Sequence, residues 1–125
     1  LDLADVITFN DYPGWYDASV SEIPEIWGSY AEWVRREYPR KPFLAGEAGA
    51  SGLAGFRRPP SSEGGDGGME MWSEDLQAAI VSATVAATVA SGIAGVALWQ
   101  FADSRVDVTT FQADNPAGGE ELGEP

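Results

Sequence analysis

The chain has 125 residues, a formal net charge of −13, 44% hydrophobic residues and five tryptophans, and it contains neither Cys nor His. The length fits one domain with a buried core, and the acidic balance argues against nucleic acid and anionic membrane surfaces as partners, because both attract Lys and Arg. The absence of Cys and His excludes disulfides, thiolate zinc sites and His-activated nucleophiles within the chain.

The first elements predicted along the chain are a strand and an amphipathic helix. Residues 5–10, "DVITFN", are rich in β-branched and aromatic side chains, which favours a strand, and residues 11–19 form a loop with a Pro-Gly turn signal. In residues 22–39 the apolar side chains recur at spacings of three and four, which indicates a helix with Pro24 in its first turn and Pro39 after its end. The apolar positions are Ile23, Ile26, Trp27, Tyr30, Trp33, Val34 and Tyr38.

A second strand, a long loop and a second helix follow. Residues 42–47, "PFLAGE", are predicted to form the strand. Residues 48–70 form a loop rich in Gly, Pro and Ser, and its centre at 59–68 has the composition of a flexible insertion. Ser73 is predicted to cap the second helix, and Gly92 to end it.

The apolar segment 78–99 allows two interpretations. It carries no charged residue and is long enough to cross a bilayer. It also contains Ser, Thr and Gly, and no Lys or Arg follows it before Arg105, whereas membrane helices usually have a basic flank. We favour a buried helix followed by a buried third strand at 93–101, with loop-like residues 104–125 after it. A membrane-anchored protein remains the alternative.

The predicted order of strand, helix, strand, helix, strand indicates a parallel sheet, because each connection is long enough for a crossover. The apolar runs also predict strands that are covered on both faces. Parallel sheets place their chemistry at the carboxyl ends of the strands. Here those ends carry Asn10 with Tyr12, then Glu47, and then Trp99 with Asp103.

Three motifs along the chain resemble one enzyme family. They are "NDYPGWY" at 10–16, "GEAG" and "GLAGF" within 46–56 followed by "MWSEDLQ" at 71–77, and "LWQFADSRV" at 98–106. Over about residues 5–106 they resemble the second half of the catalytic domain of glycoside hydrolase family 2, the β-glucuronidases and β-galactosidases. The resemblance implies an α/β fold, namely a partial (β/α)8 TIM barrel of three parallel strands and two connecting helices, similar to strands six to eight of that barrel.

The resemblance also implies roles for five residues. Glu47 matches the nucleophile of a retaining glycosidase, and Tyr12 matches the tyrosine that donates a hydrogen bond to that carboxylate. Asn10 and Tyr16 match further positions of the sugar pocket, and Trp99 matches a tryptophan of the sugar platform. The general acid of this mechanism lies outside the chain, and the mechanism needs no metal and no cofactor.

The expected organisation is the C-terminal half of a TIM-barrel glycosidase domain in residues 1–106 and a loop segment, truncated before the last barrel helix, in residues 107–125. The chain would be a fragment of a retaining enzyme that hydrolyses β-glucuronides or β-galactosides. Its expected partners are a carbohydrate substrate and the rest of the parent chain, without nucleic acid or membrane. We expect a cytoplasmic location, a possible oligomer of the full-length protein, and no activity of the isolated piece, whose sheet would have two open edges.

The sequence departs from the family pattern at several points. Ala48 follows Glu47 where the family has an aromatic residue, Pro13 replaces another aromatic residue, and the loop after Glu47 is longer. The Asn-x-Lys element that reads a glucuronide carboxylate is absent from the chain, so glucuronide specificity is not supported. Three alternatives stay open: a non-catalytic carbohydrate-binding or degenerate homologue, another retaining barrel family, and purely structural roles for these carboxylate and aromatic residues.

Overall fold

The computed structural model describes residues 2–57 and 69–102 of the chain. Its elements, in chain order, are strand β1 (Ile7–Asn10), a 3-10 helix (Val20–Glu22), helix α1 (Ile23–Glu37), strand β2 (Phe43–Ala48), helix α2 (Glu74–Ala90) and strand β3 (Gly95–Leu98). The predicted order of strand, helix, strand, helix, strand is therefore confirmed. The proposed insertion at 59–68, the residues Asp103 and Arg105, and the segment 107–125 lie outside the described residues.

The two long helices begin at the predicted positions. Pro24 lies in the first turn of α1. At the start of α2 the Ser73 hydroxyl accepts the backbone N–H of Leu76 at 3.1 Å, which satisfies one of the free donors of the first turn. After α2 the chain turns at Gly92, which has a φ of +66° that glycine adopts without steric cost.

The third strand is shorter than its predicted range of 93–101. Its start is delayed because the backbone N–H of Ile93 donates to the carbonyl of Thr88 at 3.0 Å and so belongs to the closing turn of α2. Gly95–Leu98 then forms β3. The apolar composition of the segment predicted the strand, but it did not separate the strand from the turn that precedes it.

The three strands form a parallel sheet in the order β1-β2-β3, which confirms the predicted pairing direction. β1 and β3 are the two edges of this sheet. The register pairs Ile7 with Phe43 and Asn10 with Glu47 across β1 and β2, and Leu44 with Gly95 and Ala48 with Leu98 across β2 and β3. The carboxyl ends of all three strands consequently meet at one edge.

Both helices pack on the same face of the sheet and bury the core there. The buried core residues include Ile7, Trp15, Ile23, Trp27, Ala31, Val34, Phe43, Ala45, Ala48, Leu76, Ile80, Ala87 and Ile93. The opposite face has an open groove lined only by strand residues, namely Thr8, Asn10, Leu44, Ala45, Gly46, Gly95, Val96 and Ala97. The prediction that the strands are covered on both faces is therefore wrong for residues 2–57 and 69–102, because the second covering layer is not among them.

The segment 78–99 divides into the end of α2, the turn at Gly92, and β3. α2 places Ile80, Thr84 and Ala87 on its buried side. Within the described ranges, no helix has both the length and the apolar character that a membrane crossing requires. The predicted helix and the strand after it are confirmed. The strand is not buried as predicted: β3 is an edge strand whose residues are half-buried or exposed.

Candidate active site

The ends of β1 and β2 lie side by side and bring the first loop next to Glu47. Asn10 pairs with Glu47 in the sheet register. One residue further on, the backbone N–H of Asp11 donates to the carbonyl of Glu47 at 3.0 Å. This bond extends the pairing of the two main chains beyond the strand, so the loop that carries Tyr12 starts beside the carboxylate.

The side chains of Tyr12 and Glu47 form a direct hydrogen bond. The Tyr12 hydroxyl donates to Glu47 Oε2 over 2.7 Å, and both residues are half-buried. Burial, together with the hydrogen bond to Glu47 and the charge of that carboxylate, raises the pKa of Tyr12 to about 12. The phenol therefore keeps its proton at neutral pH, where it acts as a donor that orients the carboxylate.

A tight turn after Tyr12 fixes the aromatic residues that follow. The backbone N–H groups of Trp15 and Tyr16 donate to the carbonyl of Tyr12 at 3.0 and 3.3 Å. Gly14 has a φ of +87°, and a side chain there would begin 3.1 Å from Cγ1 of Ile80 in α2. The turn therefore packs closely against α2. Trp15 is buried, whereas Tyr16 is 78% exposed.

The end of β3 approaches the main chain just beyond Glu47. The backbone N–H of Trp99 donates to the carbonyl of Ala48 at 2.8 Å. Gly49 has a φ of +145°, and a Cβ atom at this position would lie 2.6 Å from the Trp99 carbonyl oxygen. Only glycine permits this approach. Trp99 itself lines the site at its rim and is 56% exposed.

These elements enclose one pocket of about 420 Å³ at the carboxyl ends of the strands. Its lining consists of Tyr12, Trp15, Tyr16, Glu47, Ala50, Ser51 and Trp99. In this lining Glu47 is the one charged side chain and four of the seven residues are aromatic, so the pocket combines a single carboxylate with flat apolar surfaces. Among the described residues, no group of three or more His, Cys, Asp or Glu is arranged to hold a metal ion.

The structure brings four of the five residues selected from the sequence into this pocket, namely Tyr12, Tyr16, Glu47 and Trp99. Asn10 lies elsewhere: it lines the groove on the open face of the sheet. A side chain at Gly46 would begin 2.7 Å from Asn10 Oδ1, so Gly46 leaves the space that the amide occupies.

Three further lining residues were not selected from the sequence: Trp15, Ala50 and Ser51. Trp15 is part of the "GWY" stretch, where its position next to Tyr16 was an available signal. Ala50 and Ser51 belong to the run of small residues after Glu47, which keeps that side of the carboxylate open. Small side chains of this kind do not identify a residue as part of a pocket from the sequence alone.

The loop after Glu47 is fastened to the start of α2. The Gln77 side chain donates from Nε2 to the carbonyl of Ala50 at 2.9 Å. The backbone N–H of Leu53 donates to the carbonyl of Trp72 at 2.9 Å. The sequence stretches "GLAGF" and "MWSEDLQ" are therefore in contact, and they hold one wall of the pocket in place.

Comparison with known proteins yields solved structures of glycosidases. No protein-family model matches the chain, and no curated protein matches it either. The GH2 β-galacturonidase from Eisenbergiella tayi, whose structure contains galacturonate, is 30% identical, with a TM-score of 0.66 over 87% of this chain. The β-D-glucuronidase of Dictyoglomus thermophilum and the β-glucuronidase of Ruminococcus gnavus are each 27% identical over 86% and 85% of this chain, again with a TM-score of 0.66.

The similarity covers only a small part of each of these proteins. The chain spans 18% of the first two and 17% of the third. It has a glycosidase-like fold, and the described α/β unit of three parallel strands and two helices is compatible with part of a barrel. The resemblance found in the sequence motifs is supported at this level.

Proposed function

We propose that this chain is the part of a retaining β-glycosidase that carries the nucleophile, Glu47. One observation carries the proposal: the Tyr12 hydroxyl donates to Glu47 Oε2 over 2.7 Å inside an aromatic pocket. A retaining glycosidase needs an ionised carboxylate that is held in one orientation towards the anomeric carbon. A protonated phenol that donates to this carboxylate supports both requirements.

The reaction would follow the double-displacement route. First, a Glu47 oxygen bonds to the anomeric carbon, the bond from that carbon to the aglycone oxygen breaks, and a general acid protonates this oxygen. Then a water oxygen bonds to the anomeric carbon, and the bond from that carbon to the Glu47 oxygen breaks. The carboxyl group that served as the general acid now acts as the base and accepts the proton of the water. The second group would lie about 5–5.5 Å from Glu47 and come from outside this chain.

The aromatic residues of the pocket suit a pyranose ring. The C–H groups of a sugar face are apolar, and flat rings offer them a large contact area with little conformational freedom to lose. We assign Tyr16 and Trp99 to this contact, since both rings are exposed at the rim of the pocket. Asn10 would contribute to the sugar site from the neighbouring groove, where its side-chain amide lies against Gly46.

The finer assignment is the second half of a (β/α)8 barrel of glycoside hydrolase family 2, within a longer protein that we call the full-length protein. It rests on the sequence motifs and on the likeness to the β-galacturonidase and β-glucuronidases. The substrate class is accordingly a β-linked hexuronide or hexoside. We expect no turnover from the isolated 125-residue chain, because the proposed mechanism takes its general acid from outside it.

The test is covalent trapping in the full-length protein. It would be treated with 2-fluoro glycosyl inactivators that carry glucuronyl, galacturonyl, galactosyl or mannosyl groups, and the labelled peptide would be mapped by mass spectrometry. We expect one sugar to label Glu47, and the sugar that does so names the substrate class. Two variants serve as controls: Glu47→Gln should not be labelled, whereas Glu37→Gln, at the exposed end of α1, should be labelled like the native protein.

Two results would overturn the proposal. A label on a different carboxylate would remove Glu47 from the mechanism. A folded protein that binds sugars but neither turns over β-glycosides nor accepts any label would be the non-catalytic carbohydrate-binding homologue instead.

A further inference from the structure

A carboxylate next to Tyr12 ties the loop of the pocket to helix α1. Asp11 Oδ1 accepts the backbone N–H of Tyr12 at 2.9 Å. Asp11 Oδ2 accepts the hydroxyl of Tyr30, a residue of α1, at 2.7 Å. Through its own backbone N–H, Asp11 also donates to the carbonyl of Glu47 at 3.0 Å. One residue thus contacts the main chain of Tyr12, the main chain of Glu47, and a helix behind the sheet.

The helix end of this connection is firmly packed. The Tyr30 ring meets the rings of Phe9 and Trp27 edge-on, with centroid distances of 5.3 and 5.7 Å. Trp27 is completely buried, and Phe9 is part of β1. Because aromatic neighbours on two sides restrict the ring, the position of the Tyr30 hydroxyl relative to Asp11 is restrained.

We propose that Asp11 and Tyr30 are positioning residues that hold the Tyr12 hydroxyl on the nucleophile Glu47, an inference that rests on the proposed function. The chain of contacts runs from the buried face of α1, through the Tyr30 hydroxyl and the Asp11 carboxylate, to the backbone of Tyr12. Neither positioning residue lines the pocket, so neither touches the sugar. Their side chains reach the reaction through Tyr12. The backbone N–H of Asp11, which no side-chain substitution removes, holds the main chain of Glu47 separately.

Apart from the Tyr12–Glu47 bond itself, the hydrogen bonds of the turn that begins at Tyr12 are local, so an anchor outside the turn helps to hold it. The Tyr12 carbonyl accepts N–H groups from Trp15 and Tyr16, which lie in the same turn and move with it. The Asp11 carboxylate is different, since it joins the turn to a residue 19 positions away. Catalytic groups lose much of their effect when they shift by about 1 Å, so an anchor outside the loop has a direct value for the rate.

Titration behaviour agrees with this geometry. The hydrogen bond to Asp11, followed by burial and the nearby negative charge, raises the pKa of Tyr30 to about 12. The Tyr30 phenol therefore stays protonated at neutral pH and remains the donor to Asp11.

The first experiment compares two tyrosine variants of the full-length protein. Tyr30→Phe removes only the hydroxyl that reaches Asp11. Tyr38→Phe removes a hydroxyl from the residue that caps the C-terminal end of α1, where the ring packs on Trp33 and beneath Lys41, and is the matched control. The readouts are the rate constant of Glu47 labelling by the 2-fluoro inactivator, kcat and KM for an aryl glycoside, and the melting temperature. We expect Tyr30→Phe to slow labelling about fivefold to tenfold at nearly constant KM, as the loss of one hydrogen bond would, while Tyr38→Phe labels like the native protein.

A double-mutant cycle separates positioning from a general structural effect. In a protein that already carries Tyr12→Phe, the added Tyr30→Phe change should slow labelling by less than twofold, because there is no longer a hydroxyl to position. A merely structural role for Tyr30 would slow labelling by the same factor in both backgrounds, and that result would overturn the inference.

Asp11 offers a second variant pair. Asp11→Ala removes both acceptors, whereas Asp11→Asn retains one side-chain oxygen that can accept the Tyr12 N–H. We expect the labelling rate to fall further in Asp11→Ala than in Asp11→Asn, and equal losses would contradict the inference.

The experiment also separates this inference from the proposed function. If the native protein is not labelled at Glu47, the proposed function fails and the inference falls with it. If the native protein is labelled at Glu47 and Tyr30→Phe labels as fast as Tyr38→Phe, only the inference fails.

Discussion

The helix-covered face of the sheet and its carboxyl-end edge use the same strands but are held together differently. On the covered face, Ile7, Trp27 and Ile80 are completely buried, and packing determines their positions. At the edge, Tyr12 and Glu47 are half-buried and their positions are defined by hydrogen bonds. The comparison teaches that substitutions at the two places should have different effects. Substitutions on the covered face should mainly lower stability, and substitutions at the edge should mainly lower activity.

The largest effect expected at the edge comes from the Glu47→Gln variant. Under the proposed mechanism the Gln amide has no anionic oxygen for attack, so turnover of the full-length protein should fall by about a thousandfold or more. The melting temperature should change little, because Gln keeps an oxygen that can accept the Tyr12 hydroxyl. Steady-state rates and thermal melting of the same preparation check both halves of this prediction. A large loss of stability with intact turnover would reverse the comparison.

On the covered face, Trp27→Ala is expected to have the largest effect. The side chain is fully buried between α1 and the sheet, and deletion of a buried tryptophan costs about 3–5 kcal/mol of unfolding free energy. Denaturant unfolding measures this loss. Trp33→Ala on the same helix is the control, because Trp33 is only partly buried and should cost clearly less.

Tyr12→Phe tests the edge with a smaller change. The variant keeps the ring and removes the donor to Glu47, and hydrogen bonds to charged groups contribute about 1.5–3 kcal/mol. If this interaction acts fully in the transition state, labelling by the 2-fluoro inactivator should slow by roughly ten- to a hundredfold. Tyr16→Phe is the matched control, since this phenol lines the same pocket and should affect substrate binding more than the labelling rate.

Thr84→Val should have a modest stabilising effect on the covered face. The Thr84 hydroxyl is buried in α2 with no hydrogen-bond partner among the described residues, whereas the nearby Thr88 hydroxyl donates to the Val85 carbonyl at 3.0 Å. Replacing an unpartnered hydroxyl by a methyl group should raise the unfolding free energy by about 1 kcal/mol. Denaturant unfolding measures this gain. Thr88→Val, which loses an existing hydrogen bond, should not show it.

Alkaline pH should produce the smallest and most gradual change. Burial and the bond to Glu47 raise the pKa of Tyr12 to about 12, and the bond to Asp11 and burial raise the pKa of Tyr30 to about 12, from the ordinary value of 10. Their contribution to stability is fully present below pH 10, because the phenols then keep their protons in both states. As the pH rises from about 10 to 12 the unfolded phenols release protons first, so stability falls. The melting temperature should decline less steeply over this range in Tyr30→Phe than in the native protein.

Much of the fold was accessible from the sequence, because local patterns determine it. The spacing of apolar residues predicted α1, the Ser73 cap predicted the start of α2, and β-branched and apolar runs predicted three strands. The meeting of Tyr12 and Glu47 followed from the parallel order and the motif resemblance together. These features depend on residues that are close in sequence or on the general rule that parallel strands end at the same edge.

The remaining features depend on geometry that the sequence pattern does not encode. Tyr30 was interpreted as part of the apolar face of its helix, and the pattern could not show that its hydroxyl reaches Asp11. Alternation along β1 places Asn10 on the open face with Thr8. Tyr12 lies beyond the end of β1, where the path of the loop and not the alternation sets the direction of the side chain. The uncovered face itself was missed because an apolar run predicts burial without showing which residues supply the cover.

Gly49 has a consequence for the future engineering of this pocket. A Cβ atom at Gly49 would lie 2.6 Å from the Trp99 carbonyl oxygen, so the backbone after β2 and the backbone after β3 are in direct contact beside the pocket. The backbone therefore fixes the distance between the Glu47 side and the Trp99 side of the pocket. Substitutions at Ala50, Ser51 or Tyr16 can change the shape and chemistry of the cleft, but a wider cleft requires a different path of the backbone.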